Sequence, residues 1–154
     1  MTQSTEHMMS TAILLIAHGS RRAEANADLV RLAEAMKTRC PNEIVEIAYL
    51  ELAEPSIPQG AARCVKRGAT EIRLLPYFLS AGTHIVEDLT GFRDEFADQY
   101  PEVRLQLCPP LGLHPLLIDV LLNRLNEDWA DTSQLPREWP NAHASRTSPE
   151  ASIE

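Results

Sequence analysis

The sequence predicts a three-layer α/β domain, with helices on both faces of a four-stranded parallel sheet. Two patterns carry that expectation. Short apolar runs alternate with stretches whose apolar residues recur at helical spacing, which is the signature of repeated β-α units. Each connection between runs is long enough for a helical crossover, and such crossovers join parallel strands with a right-handed turn. Size sets the domain count: 154 residues, 44% of them apolar, suit one domain with one packed core.

The first strand covers residues 12–17, AILLIA, and the first helix covers residues 22–39. Ala25, Leu29, Leu32, Ala33 and Met36 share one face of that helix, and Pro41-Asn42 stops it. The second strand, residues 43–50, alternates Ile and Val with Glu before turning wholly apolar. Ser56 is a favourable N-cap for the second helix, with Pro58 in its first turn. Ile57, Ala61, Cys64 and Val65 form its buried stripe, and Gly68 is its stop. The third strand, residues 71–76, runs into a loop through Gly82. The third helix, residues 84–99, buries Ile85, Leu89, Phe92 and Phe96 and ends before Pro101. The fourth strand, residues 103–108, leads through Pro109, Pro110 and Gly112 to a fourth helix over residues 115–129. That helix is expected to bury Leu116, Leu117, Val120, Leu121 and Leu125.

The domain therefore spans residues 12–130, with residues 1–11 a flexible N-terminus. From Asp131 the composition turns to Ser, Pro, Thr, Asn and acids without a period, so residues 131–154 read as a flexible tail. His143, alone in that tail, is expected to be solvated. The net charge of −8 argues against non-specific binding to nucleic acid or an anionic membrane. No run approaches the ~20 apolar residues of a membrane span. The start carries Glu6 and no Lys or Arg before the first apolar run, unlike a secretory signal. Cys40, Cys64 and Cys108 are odd in number and lack C-x-x-C spacing, which fits reduced thiols in the cytoplasm. Cys64 belongs to a helical core face; Cys108, at a strand end, is a candidate soft ligand.

In parallel α/β sheets ligands bind beyond the carboxyl ends of the strands, where the strand order reverses. His18 follows the first strand in AHGSRR, Glu51 closes the second in AYLEL, and His84 follows the third in LSAGTH. Two imidazoles and a carboxylate on one edge suit a divalent cation with coordination positions left open. The HGS loop fits other chemistries poorly. Ala17 stands where a histidine phosphatase needs Arg, the second glycine of a nucleophile elbow is missing, and a phosphate loop needs more than Gly19. Glu51 has plainer alternatives, a solvated carboxylate or a cap of the second helix, and Glu54 competes for either. Arg21 and Arg22 read as an exposed start of the first helix, with contact to substrate carboxylates at the site edge as the alternative. Tyr77 and Phe78 continue the third apolar run into a cleft wall, whereas Leu74 and Leu75 are core. His114, before Pro115, reads as a helix cap, with a site-rim role as the alternative.

Several of these stretches together resemble one family. HGSR, YLELAEPSI, the C-V-K-x-G-A-T run, P-x-F-L-x-x-G-x-H and L-G-x-H-P are similar to the sirohydrochlorin chelatases, the short class II tetrapyrrole chelatases of cobalamin and sirohaem biosynthesis. The resemblance covers about residues 12–125 and implies a chelatase-like fold with flavodoxin-like winding. It implies insertion of Co2+ or Fe2+ into sirohydrochlorin without ATP, and no cofactor beyond the divalent metal substrate (Co2+, Fe2+ or Ni2+). His18 and His84 are implied as the metal-binding and proton-accepting pair, with Glu51 their carboxylate partner. Longer family members carry two such domains, so a single copy implies a homodimer. The chemistry agrees: metallation strips water from the ion and removes two pyrrole protons. A neutral imidazole of pKa ~6.5 can do both jobs near neutrality. The rival readings are a non-catalytic metal or tetrapyrrole carrier or sensor, and a chelatase for a different tetrapyrrole.

Overall fold

The run TAILLIA forms β1 (Thr11–Ala17), a central strand whose residues are buried on both faces. The computed structural model describes residues 10–80 and 82–127. Most of the expected flexible N-terminus, the tail after Asp131, His143 and the end of the fourth helix at Trp129 lie outside the described residues. After β1 come α1 (Ala23–Arg39), β2 (Ile44–Tyr49), α2 (Ile57–Lys66), β3 (Glu71–Pro76), α3 (Thr83–Gln99), β4 (Arg104–Leu107) and α4 (Leu116–Leu125). All neighbouring strands are parallel, in the order β2-β1-β3-β4. The order reverses between β1 and β3, so a crevice is expected at their carboxyl ends.

Strand alternation divides the core between the two faces. Ala12, Leu14, Ile16, Ala48, Ile72 and Leu74 pack with Ile57, Ala61 and Cys64 of α2 and Leu89 and Phe96 of α3. Leu15, Val45 and Tyr49 pack with Leu29 and Ala33 of α1 on the opposite face. Each fully buried Leu or Ile contributes roughly 1.5–3 kcal/mol. α2 lies tight against the sheet at Gly60, where a Cβ would stand 2.8 Å from Leu14 Cδ1 and 3.0 Å from the Ile47 carbonyl. The expected cap is present: Gln59 N–H donates to Ser56 Oγ, and Gln59 Oε1 accepts from Ser56 N–H at 2.8 Å. Such a cap stabilises a helix by about 1 kcal/mol.

Two expectations about burial are corrected. Ala25, placed on the buried face of α1, is exposed, and burial on that helix begins at Leu29. The larger correction is α4. None of its residues is buried; Leu116, Val120, Leu121 and Leu125 are exposed and Leu117 is only half-buried. Its apolar residues spread well beyond one stripe, interrupted by Asp119 and Asn123, and among the described residues α4 lacks the sheet packing of the other three helices. So broad an apolar surface needs cover on more than one side. Among the described residues the other elements do not supply it.

Candidate functional site

β1 and β2 stay joined past their last residues. Leu50 N–H donates to the Ala17 carbonyl at 2.9 Å, and Glu51 N–H donates to the His18 carbonyl at 3.0 Å. This places the His18 and Glu51 backbones side by side at the carboxyl edge. Gly19, with φ +90°, makes the approach possible: a Cβ there would lie 1.9 Å from the Glu51 carbonyl oxygen. No other residue type fits. Leu52, next to Glu51, also takes a left-handed φ of 62°, so both sides of this contact are sharply turned.

A bracket that sequence reasoning missed fixes the rest of the loop. Asn26 accepts from Ser20 N–H at 2.9 Å and donates to the Ser20 carbonyl at 2.8 Å, tying the loop to the first turn of α1. Tyr49 Oη–H donates to the Asn26 carbonyl at 3.0 Å, and burial pushes its pKa up, keeping the donor protonated. Ser20 Oγ accepts from Arg22 N–H at 3.0 Å. The local sign in the sequence is Ser20, whose hydroxyl closes a turn onto Arg22 two residues on; the six-residue reach of Asn26 has no local signature. Arg21 and Arg22 are exposed at this edge, and no ion pair of the described residues uses either.

The His18 ring lies on Phe78, with centroids 4.7 Å apart and planes tilted 51°. Phe78 is only 4% exposed and belongs to the α2/α3 core cluster. The expectation that it forms a cleft wall is therefore corrected: it supports His18 from below. Alternation continues beyond β3, so Phe78 points inward with Ile72 and Leu74 while Tyr77 and Leu79 face outward. Tyr77 stays at the sheet edge, held by its N–H donating to the Ile16 carbonyl at 2.7 Å.

His84 is the second residue of α3, with a side chain 97% exposed. Its Nδ1 stands 3.7 Å from Oε2 of Glu87, one turn along the helix. That exceeds hydrogen-bond length. Glu87 was not among the residues singled out from the sequence, although His-x-x-Glu at i,i+3 puts both on one face. The three-donor grip expected of His18, Glu51 and His84 is not assembled. Among the described residues no three His, Cys, Asp or Glu side chains form a ready cation site. The physical reason lies in exposure: all three are solvent-facing groups on loops or a first helical turn, and nothing buried draws them together.

The remaining candidates separate. Ser56 caps α2, so neither Glu51 nor Glu54 is needed there. His114 Nδ1 accepts from Leu116 N–H at 3.2 Å, in keeping with the cap reading. Cys108 is half-buried, with its thiol pKa pushed up by burial, and joins no donor group. Burial likewise pushes the Cys64 thiol up to about 12, which leaves it protonated and unreactive.

Comparison with known proteins places this geometry in context. The CbiX family model matches residues 12–128. A sirohydrochlorin ferrochelatase of Priestia megaterium is 32% identical over 131 residues, covering 85% of this chain and 48% of its own. The cobalt complex of the sirohydrochlorin chelatase SirB from Bacillus subtilis subspecies spizizenii superposes with a TM-score of 0.70 at 32% identity, covering 76% of this chain and 50% of that one. A putative cobalamin biosynthesis CbiX protein of Marinobacter aquaeolei VT8 gives a TM-score of 0.64 at 32% identity, covering 75% of this chain and 97% of that one. The chain spans about half the length of the first curated relatives it matches.

Proposed function

The chain belongs to the CbiX family, and from that premise we propose that it inserts a divalent metal ion, Co2+ or Fe2+, into sirohydrochlorin. One observation carries the reading. His18 and Glu51 are locked together on adjoining strand ends, and His84 begins the helix that follows β3, across the point where the strand order reverses.

In this reading the metal ion is a substrate, which fits an open edge better than a closed cage. A resident ion would favour donors already grouped around it; a transferred ion needs donors that bind from one side and release. His18, fixed on Phe78, and exposed His84 supply imidazole nitrogens that hold the ion or accept pyrrole protons. Glu51 adds negative charge that favours the incoming cation. Arg21 and Arg22 meet macrocycle carboxylates, and Tyr77 offers an exposed ring at the cleft rim. Imidazole and carboxylate accept Co2+, Fe2+ and Ni2+ with little discrimination of their own. No cofactor enters the scheme.

A homodimer completes the proposal. The uncovered apolar residues of α4 support it, because a second copy can cover a helix that its own unit leaves bare. A cytoplasmic setting is supported by three cysteines that are all free. Among the described residues no helix is long and apolar enough to cross a membrane.

The test is direct. Purified protein is mixed with sirohydrochlorin and Co2+, Fe2+ or Ni2+, and metallation is followed by absorbance. A rate well above the spontaneous reaction is expected. Tight binding without acceleration would replace the chelatase by a carrier or sensor.

A further inference from the structure

Glu87 has no part in the site as read from strand ends, yet it is the carboxylate that faces His84. The two residues share the first turns of α3, three positions apart, with His84 Nδ1 and Glu87 Oε2 separated by 3.7 Å. Both side chains are open to solvent, at 97% and 67% exposure. Among the described residues, His84 is the sole partner of Glu87 in an ion pair.

The gap itself is informative. At 3.7 Å the pair is too far apart for a hydrogen bond, so neither group satisfies the other. Nitrogen and oxygen donors each ~2.1 Å from one ion, at a tetrahedral angle, stand about 3.4 Å apart. A rotamer adjustment of a few tenths of an ångström would bring the observed pair to that spacing. Residues three apart on a helix are neighbours on one face, so His84 and Glu87 can turn toward the same point in solvent. Two donors leave the remaining coordination positions to water, as suits an ion that must be passed on.

We infer that His84 and Glu87 form a two-donor capture site on α3, which takes a hydrated divalent cation from solvent before it meets the macrocycle. His18 and Glu51, joined through their backbones on the other side of the crevice, are the fixed pair toward which the ion moves. The inference rests on the chelatase reading for the later transfer, but capture itself is a property of the chain alone.

The experiment separates the two. Co2+ binding to the full-length chain is measured without tetrapyrrole, by calorimetry and by the visible absorption of bound Co2+. Wild type is compared with His84→Ala, Glu87→Gln and the double variant, each checked for folding by circular dichroism. Each single substitution is expected to weaken Co2+ binding about tenfold or more, since losing even an outer-shell partner of a metal ligand costs that much. The double variant should bind more weakly than either single one but lose less than the product of the two losses, because each donor's contribution depends on the other holding the same ion. In turnover assays Glu87→Gln should raise KM for Co2+ about tenfold with a much smaller change in kcat. Wild-type Co2+ affinity in folded Glu87→Gln overturns the inference, and so do losses that multiply in the double variant. Capture without acceleration of metallation keeps the inference and removes the chelatase reading. Acceleration with an unchanged KM for Co2+ in Glu87→Gln does the reverse.

Discussion

The imidazole of His18 sits on the ring of Phe78 at a centroid distance of 4.7 Å, an exposed group resting on a side chain of the core. This contact fixes one imidazole while the other, on the first turn of α3, projects into solvent. Aromatic contacts of this kind add about 0.5–1.5 kcal/mol beyond area burial. Their larger effect here is to hold a working side chain in one place.

Phe78→Ala is expected to cost about 3–5 kcal/mol of stability by opening a cavity in the α2/α3 core. Phe78→Leu should fold at a cost below about 1.5 kcal/mol while removing the flat support under His18. Denaturant melts together with metallation rates check this. Full activity in a folded Phe78→Leu would mean that the contact does not position His18.

Gly19→Ala should be among the most damaging single changes at the edge. The added carbon would fall 1.9 Å from the Glu51 carbonyl, and Ala is strained at φ +90° by about 1–2 kcal/mol. Because His18 and Glu51 would have to separate, turnover should fall about 100-fold or more even in protein that still folds. Melting temperature and metallation rate measured together test this; near-normal turnover would show that the spacing of these two residues is unimportant.

The bare helix α4 gives a prediction about assembly. Leu121→Glu with Leu125→Glu places two charges where apolar side chains are now exposed. Light scattering should report a dimer for the wild type and a monomer for the double variant, with secondary structure unchanged. A wild-type monomer at concentrations where the protein is active would refute the dimer.

Cysteine chemistry should separate by burial. The Cys64 thiol, with a pKa pushed up to about 12, should resist iodoacetamide at pH 8 in the native state, whereas half-buried Cys40 should react first. A folded-state pKa above the ordinary 9.0 means that this group's contribution is intact below about pH 9 and is lost as the pH rises toward 12. Stability should therefore decline over that alkaline window. Rapid native-state alkylation of Cys64, read by mass spectrometry, would contradict its placement.

Much of this arrangement was legible in the residue pattern. The third strand is expected at residues 71–76 and is found at Glu71–Pro76, because Gly68 stops the preceding helix just before it and Pro76, which cannot donate to the sheet, closes it. The cap at Ser56 was equally readable, since capping is a local interaction. What failed depended on tertiary partners. The apolar residues of α4 suggested burial, but apolarity does not say whether a covering surface exists within one unit. The continuation of the third apolar run suggests a cleft wall for Tyr77 and Phe78 alike, although simple alternation from Ile72 through Leu74 points Phe78 inward and only Tyr77 out. Asn26 and Glu87 went unnoticed because a polar residue on a helix face declares a role only once its neighbour is known. Strand ends placed His18, Glu51 and His84 on one edge; they could not tell whether the side chains were already gathered.

The most direct measurement is the initial rate of Co2+ insertion into sirohydrochlorin by wild type and His84→Ala, both with confirmed native melting. The account predicts a wild-type rate far above the spontaneous one and a His84→Ala rate reduced to it, since an exposed side chain at the head of α3 contributes little to folding. A folded His84→Ala protein that metallates sirohydrochlorin as fast as wild type would contradict the account at its centre.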